Sequence, residues 1–206
     1  KLVDFAGRNN SILVYDSAYS QFISDKSLPK SIYEIKGAKK VAIEISSFSK
    51  PIGFTGIRLG WTIIPNELAF EDGTPVNKDW NRITTTLFNG ASNIAQCGAL
   101  SALDKDGMKE MRNSINYYLE NARVIRTSMK KLNYEVYGGD HAPYLWVRVA
   151  GKTSWQAFEE FLIKAHIVTI PGAGFGPSGE GFLRLSALGH REDVKEAVKR
   201  IERLMK

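Results

Sequence analysis

The sequence is poor in the residues that define several protein classes. Among its 206 residues there is one cysteine, Cys97, so no internal disulfide can form and a reducing compartment suits the chain. The three histidines, His141, His166 and His190, stand in unrelated segments without ligand spacing, and no metal is expected. No apolar run approaches the roughly twenty residues that span a bilayer, so no membrane partner is expected. Acidic residues are in deficit, 22 against 28 Lys plus Arg, for a net charge of +6. The basic side chains are scattered apart from short clusters such as Lys36, Lys39 and Lys40, and without a stripe or motif they do not make a nucleic-acid surface. Repeats and low-complexity segments are absent too. There is no initiator methionine, and "KLVDFAGRNNSILVYD" enters partway through an amphipathic helix leading to a buried strand. The expectation is the carboxyl-terminal part of a longer protein.

What remains is a folded chain of ordinary composition, 43% hydrophobic and 24% charged, long enough to bury a real core. Ile12 to Tyr15 and Val41 to Ile45 are apolar runs that end in polar residues, Asp16 and Ser46-Ser47, and they predict buried strands of an open α/β sheet. Ligands of such sheets bind just outside the carboxyl ends of the strands, so Asp16 and Lys50 could share one crevice. Leu59 to Ile64 predicts a third strand, and "PNELAFEDGTPVNKDWN" a connection with turn signals. From Met108 the apolar positions Met111, Ile115, Tyr118, Ala122, Ile125, Met129 and Leu132 alternate steps of three and four, which predicts a long amphipathic helix able to join two domains. Beyond it, strands at Tyr134–Tyr137, Tyr144–Val149, Ile167–Ile170 and Phe182–Ser186 interleave with helices at Trp155–Ala165 and Asp193–Met205. The expected domains are therefore Lys1 to Leu103 in an α/β part and Asp104 to Lys206 in a connecting helix with a smaller α+β part.

The chemistry concentrates in "SSFSKPIGFTGIRLGW". Lys50 has small and hydroxyl neighbours and no acid beside it, which suits a nucleophilic amine that must lose its proton part of the time. Gly53 and Gly56 allow close backbone approach, Arg58 offers a fork of donors, and Ser47 and Ser49 add hydroxyls, together a cradle for a phosphate. An acid such as Asp16 at the neighbouring strand end completes what pyridoxal phosphate needs. Asp16 and Tyr19 taken alone fit a helix cap and a core aromatic equally well. In "GEGFLRLSALGH", alternation sets Leu183, Leu185 and Ala187 on one face and Phe182, Arg184 and Ser186 on the other. Arg184 among apolar neighbours wants an anion, either an internal acid or a substrate carboxylate. Arg148 in "YLWVRVAG" competes for the same role.

The strings "SFSKPIGFTGIRLGW", "YDSAYSQFI", "FNGASNIAQ" and "GEGFLRLSALGHRED" together resemble the LL-diaminopimelate aminotransferases, a branch of the fold-type I, class I/II family of pyridoxal-phosphate enzymes. The resemblance covers essentially the whole chain. It implies the carboxyl-terminal part of a fold-type I large domain, with its partial cofactor-binding region at 1–103, followed by the small domain. It implies Lys50 as the Schiff-base lysine, Asp16 on the pyridine nitrogen, Tyr19 on the phenolic oxygen, and Ser47, Ser49 and Arg58 on the phosphate. Arg184 is implied as the receptor of the substrate α-carboxylate, and Asn89 as a residue reaching the active site of the partner subunit in a homodimer. The family's amino-terminal half, which carries a phosphate loop, an aromatic stacked on the ring and an asparagine near the phenolic oxygen, is missing from these residues.

The implied reaction interconverts L,L-diaminopimelate plus 2-oxoglutarate with tetrahydrodipicolinate plus glutamate in lysine biosynthesis, in the cytoplasm or, in a plant or alga, the plastid stroma. Two other readings stay open at this point. One is a fold-type I aminotransferase for aspartate, aromatic or branched-chain amino acids. The other is a catalytically incomplete piece that serves only as a binding module.

Overall fold

The two apolar runs expected as strands pair with each other. In the computed structural model, which describes residues 1–204, β1 (Leu13–Asp16) lies parallel to β2 (Ala42–Ser47), with Leu13 opposite Ala42 and Asp16 opposite Ile45. Strand β3 (Gly60–Ile63) runs antiparallel along the other side of β2, giving the order β1-β2-β3. The architecture is mixed α/β, and the described residues fall into two compact units, Lys1–Ser114 and Ile115–Lys206.

In the first unit one face of the sheet is covered. Helix α1 (Leu2–Arg8) and the turns near Ile32 and Ala38 bury Val3, Ile32, Ala38 and Ala42 against Leu13, Tyr15 and Tyr33. Glu44, 2% exposed, sits in this layer as a hydrogen-bonded acid, accepting from Ser31 Oγ at 2.6 Å and from the Ile32 N–H at 3.0 Å. Such bonds offset the cost of burying a carboxylate. The expectation that β1 is buried does not hold along its length, because the strand is an edge with a neighbour on one side only, and Val14 is 58% exposed.

Two helices of this unit were not expected from the sequence. Helix α2 (Val76–Ile83) follows Pro75, carries Val76, Trp80 and Ile83 at helical spacing but buries none of its residues, and begins within the stretch expected as a plain connection, which it replaces from Val76 on. Helix α3 (Asn93–Leu103) buries only the small side chains Ala95 and Ala99. Between Ile83 and Leu103 large apolar groups face outward: Leu87, Phe88, Ile94 and Leu100 are all more than half exposed.

Helix α4 (Lys105–Lys131) has the expected stripe, with Met111, Ile115, Ala122, Ile125 and Met129 buried. In the second unit β4 (Val136–Gly138), β5 (Tyr144–Arg148), β7 (Phe182–Ser186) and β6 (Ile170–Pro171) form an antiparallel sheet in that order. Leu145, Val147, Leu183 and Leu185 point from one face into a core completed by Met129, Phe161 of α5 (Ser154–Ala165), and Val194 and Ile201 of α6 (Arg191–Leu204). Full burial of each such side chain stabilises the unit by about 2 kcal/mol. Helix α5 begins on a capping box, Thr153 Oγ1 accepting from the Gln156 N–H and Gln156 Oε1 from the Thr153 N–H. It ends at His166, φ 54°, which turns the Ile167 N–H back to the Phe161 carbonyl at 3.1 Å. That engagement is why the strand expected from Ile167 shortens to Ile170–Pro171. The expected end of α6 at Met205 lies outside the described residues.

Asn121, fully buried on α4, ties the chain after β7. Its Nδ2 donates to the carbonyls of Ala187 (3.2 Å) and Gly189 (2.9 Å), and its Oδ1 accepts from Arg191 Nε at 3.0 Å. Arg191 lies over the Tyr117 ring at 4.5 Å. Asn121→Ala would leave two carbonyls and one guanidinium donor without partners, and we expect a loss of about 2–3 kcal/mol in denaturant unfolding of the second unit. A loss below about 0.5 kcal/mol would show that water replaces the amide at no cost.

Candidate active site

Parallel pairing sends β1 and β2 out of the sheet at the same end. Asp16 closes β1, and Ser47 closes β2 two residues beyond Asp16's partner Ile45. The chain after β1 is fastened there, Ser17 donating to the Ile45 carbonyl from its N–H (2.8 Å) and its hydroxyl (3.1 Å). Tyr19 follows one turn later, half-buried with its ring 5.8 Å from Phe22. Asp16 itself is exposed and, among the described residues, accepts only from the Ala18 N–H at 2.9 Å.

The antiparallel return of β3 brings the rest together. Ser47 pairs with Gly60, and the Phe48 N–H donates to the Leu59 carbonyl at 3.0 Å, so the chain from Phe48 to Leu59 is a closed loop at that sheet end. Lys50 lies just after β2 and Arg58 just before β3. Within the loop Ser47 Oγ accepts from the Ser49 N–H (3.0 Å), Thr55 Oγ1 donates to the Ser49 carbonyl (3.0 Å), and Arg58 Nη1 donates to the Thr55 carbonyl (2.8 Å) and to Ser49 Oγ (3.5 Å). Arg58 holds φ 68°, a left-handed conformation costing a side-chain-bearing residue about 1 kcal/mol or more. Half-buried Lys50 makes no hydrogen bond or ion pair with any described residue.

The loop is anchored from below. Phe48 and Phe54 stand with ring centroids 6.4 Å apart and pack with Leu59 on Ala95 and Ala99 of α3. Gly98 of α3 faces the Phe54 ring, where a Cβ would make ordinary contact at 3.4 Å. At the loop's other end a Cβ on Gly60 would meet the Ser46 carbonyl oxygen at 2.7 Å. That carbonyl belongs to the strand ladder and cannot step aside, so glycine is required.

Asn89 makes no hydrogen bond to this cluster among the described residues. It is exposed at φ 58°, ending the π-helical turn Thr84–Phe88, with its N–H on the Thr84 carbonyl at 3.0 Å.

In the second unit Arg184 emerges from the uncored face of β7 opposite Trp146 of β5. Its guanidinium lies over two rings, 4.7 Å from the centroid of Tyr144 and 4.9 Å from that of Phe175. Its Nε is buried without a partner among the described residues. Arg148, the competing arginine, is paired with Glu135 at 3.2 Å and answered within the protein. Phe175 and Tyr144 are what sequence reasoning missed. Alternation in "YLWVR" puts Tyr144 on the same face as Trp146, but nothing local tells that this face meets Arg184.

The loop holding Phe175 is fixed by Glu180. Its carboxylate accepts from the Ser154 N–H (2.6 Å), Ser154 Oγ (3.2 Å) and its neighbour Gly181 N–H (3.0 Å), while Ser154 Oγ in turn accepts from the Ala173 N–H at 3.2 Å. The backbone bonds from Ser154 and Gly181 lower the Glu180 pKa below its ordinary 4.5.

Residues 1–201 match the family model for aminotransferase class I and II, and the chain belongs to that family of transferases. More particularly, it is 54% identical over 206 residues to LL-diaminopimelate aminotransferase, chloroplastic, of Arabidopsis thaliana, covering all of this chain and 44% of that protein. It is 57% identical to the probable chloroplastic LL-diaminopimelate aminotransferase of Oryza sativa subsp. japonica, over the same shares. The solved L,L-diaminopimelate aminotransferase of Chlamydomonas reinhardtii superposes with a TM-score of 0.95 at 54% identity, covering the whole chain and 50% of that structure. An aromatic aminotransferase of Pyrococcus horikoshii gives a TM-score of 0.85 at 25% identity, over 98% of this chain and 52% of that one. The chain thus spans about half the length of the relatives it matches. Among the described residues no helix is long and apolar enough to cross a membrane, and no cluster of side chains could hold a metal ion.

Two outcomes follow. Gly60→Ala should destabilise the first unit by about 1–3 kcal/mol in denaturant unfolding, and an unchanged midpoint would show that the ladder end can move. Because the folded Glu180 pKa is depressed, its contribution is complete above 4.5 and is lost as pH falls through the lower folded value. Glu180→Gln should therefore flatten the acid limb of the melting-temperature profile, whereas an unchanged limb would assign it to other carboxylates.

Proposed function

We propose that the complete protein is a pyridoxal-phosphate-dependent LL-diaminopimelate aminotransferase, interconverting L,L-diaminopimelate plus 2-oxoglutarate and tetrahydrodipicolinate plus glutamate in lysine biosynthesis. One observation carries the reading: at a single sheet end stand an amine without an ion partner, an acid on the adjacent strand, two serine hydroxyls and an arginine. That donor set fits a phosphorylated pyridine aldehyde, and the two plant relatives at 54% and 57% identity carry the diaminopimelate name. The domains we propose are a partial cofactor-binding part through Leu103 and a connecting helix with the small domain beyond it. A reducing setting, cytoplasm or plastid stroma, accords with the single Cys97 and with the chloroplastic plant relatives.

When bound, the cofactor supplies an electron sink for charge developing at the substrate α-carbon. Asp16 keeps a proton on the pyridine nitrogen, since an unpaired carboxylate stabilises the positive charge beside it. Ser47, Ser49 and Arg58 donate to the phosphate, the arginine with charge-assisted bonds. Tyr19 donates to the phenolic oxygen. The Lys50 amine would hold the cofactor through its aldehyde carbon, and it would take the proton from the substrate α-carbon and return it in the transfer. Arg184 receives the α-carboxylate, and Asn89 reaches the site of the partner subunit in a homodimer.

The test uses the complete protein loaded with pyridoxal phosphate. Its visible absorption should change on adding L,L-diaminopimelate and stay unchanged with L-aspartate, and Lys50→Ala should abolish turnover. A response to aspartate alone would move the protein to the general aminotransferases, and normal turnover by Lys50→Ala would sink the assignment of the lysine.

A further inference from the structure

We infer that Tyr144 and Phe175 are positioning residues that hold the Arg184 guanidinium over their rings with its N–H donors free, so that it receives a carboxylate arriving edge-on. The inference rests on the proposed role of Arg184 and adds to it the two side chains that make the arginine a receptor.

An arginine in a strand has several ways to settle its charge. Arg148, on the same sheet face, takes Glu135, whereas Arg126 on α4 takes Asp140 through Nη1 while its Nε, like that of Arg184, is buried without a partner. Arg184 takes neither an acid nor a carbonyl among the described residues, and its Nε has no partner although it is shut off from water. What it has is two aromatic faces within 5 Å of the guanidinium carbon, at 4.7 Å and 4.9 Å. A ring attracts the cation through its quadrupole and uses none of the five N–H donors. The charge is therefore held in place while its hydrogen-bonding capacity stays open. A planar oxyanion with two acceptor oxygens is the chemical complement, because two parallel N–H···O bonds match its fork.

The rings are themselves held. Trp146 abuts Phe175 edge to face at 5.4 Å and stacks on Phe182 at 5.4 Å and 19°. The turn Gly172–Phe175 is fastened to the start of α5 through the Ala173 N–H on Ser154 Oγ. Phe175 remains 52% exposed, so little of its placement is explained by core packing. Its ring covers the arginine instead.

In the complete, cofactor-loaded protein, the dissociation constant of 2-oxoglutarate would be measured by calorimetry beside KM and kcat, for Phe175→Leu, Tyr144→Leu and Tyr144→Phe, each in the parent and in an Arg184→Gln background. Either leucine variant should weaken 2-oxoglutarate binding about fivefold and raise KM alike, with kcat within about twofold of the parent. Tyr144→Phe keeps the ring and should bind like the parent, and in the Arg184→Gln background the leucine substitutions should cost nothing further. Should Tyr144→Leu fail to fold, half-exposed Phe175→Leu decides the matter. Unchanged affinity in Phe175→Leu, or an equal loss with and without Arg184, would overturn the inference. Arg184→Gln with parental affinity would instead remove the carboxylate role of Arg184, and the positioning role with it. Retained visible absorption of the cofactor in every variant separates these losses from damage at Lys50.

Discussion

Parallel pairing of β1 with β2, followed by the antiparallel return of β3, is the constraint on which the candidate site depends. Parallel neighbours leave a sheet at the same edge, so Asp16 and Ser47 are delivered side by side whatever their distance in sequence. The return of β3 then forces the chain between Phe48 and Leu59 to double back at that edge, and Lys50 and Arg58, at the two ends of the doubling, share it. None of these side chains needs a bond to another for this to happen. The ladder places them, and the Phe48–Phe54 pair on α3 keeps the loop from lifting away.

The second unit solves a different problem with the same means. Its sheet gives one face to the core and the other to a row of rings with an arginine among them. Polar ties surround that arrangement rather than fill it. Asn121 binds the chain leaving β7, and Glu180 binds the turn entering it, so Arg184 stands on a strand tethered at both ends. Rigidity of this kind matters for a receptor, since donors that are already in place lose less freedom when an anion arrives.

Much of this was legible in the sequence where the signal is local. Phe182–Ser186 alternates cleanly and forms that very strand, and the stripe from Met111 to Met129 is buried along α4. Residues 154–165 carry their own start signal in Thr153 and Gln156. Helix α2 escaped although Val76, Trp80 and Ile83 stand at helical spacing, because the Pro- and Gly-bearing polar stretch around it reads as a connection, and α3 because it buries alanines, which mark no stripe. At the candidate site, the shared sheet end of Lys50, Arg58 and Asp16 was legible, because one short segment carries the first two and Asp16 closes an apolar run read as a strand. Tyr144 and Phe175 were not. They meet Arg184 through the β5–β7 register and a turn fixed by Glu180, and neither leaves a trace in the residues near the arginine.

The outward apolar groups between Ile83 and Leu103 have a practical consequence. Leu87, Phe88, Ile94 and Leu100 expose between 64% and 86% of their surface, far from the charged, patch-free exterior that keeps a protein in solution. As a separate polypeptide these 206 residues would tend to self-associate and precipitate, and the +6 net charge opposes that weakly once salt screens it. Colloidal behaviour, rather than loss of the fold, would then set the concentration at which the isolated chain can be handled.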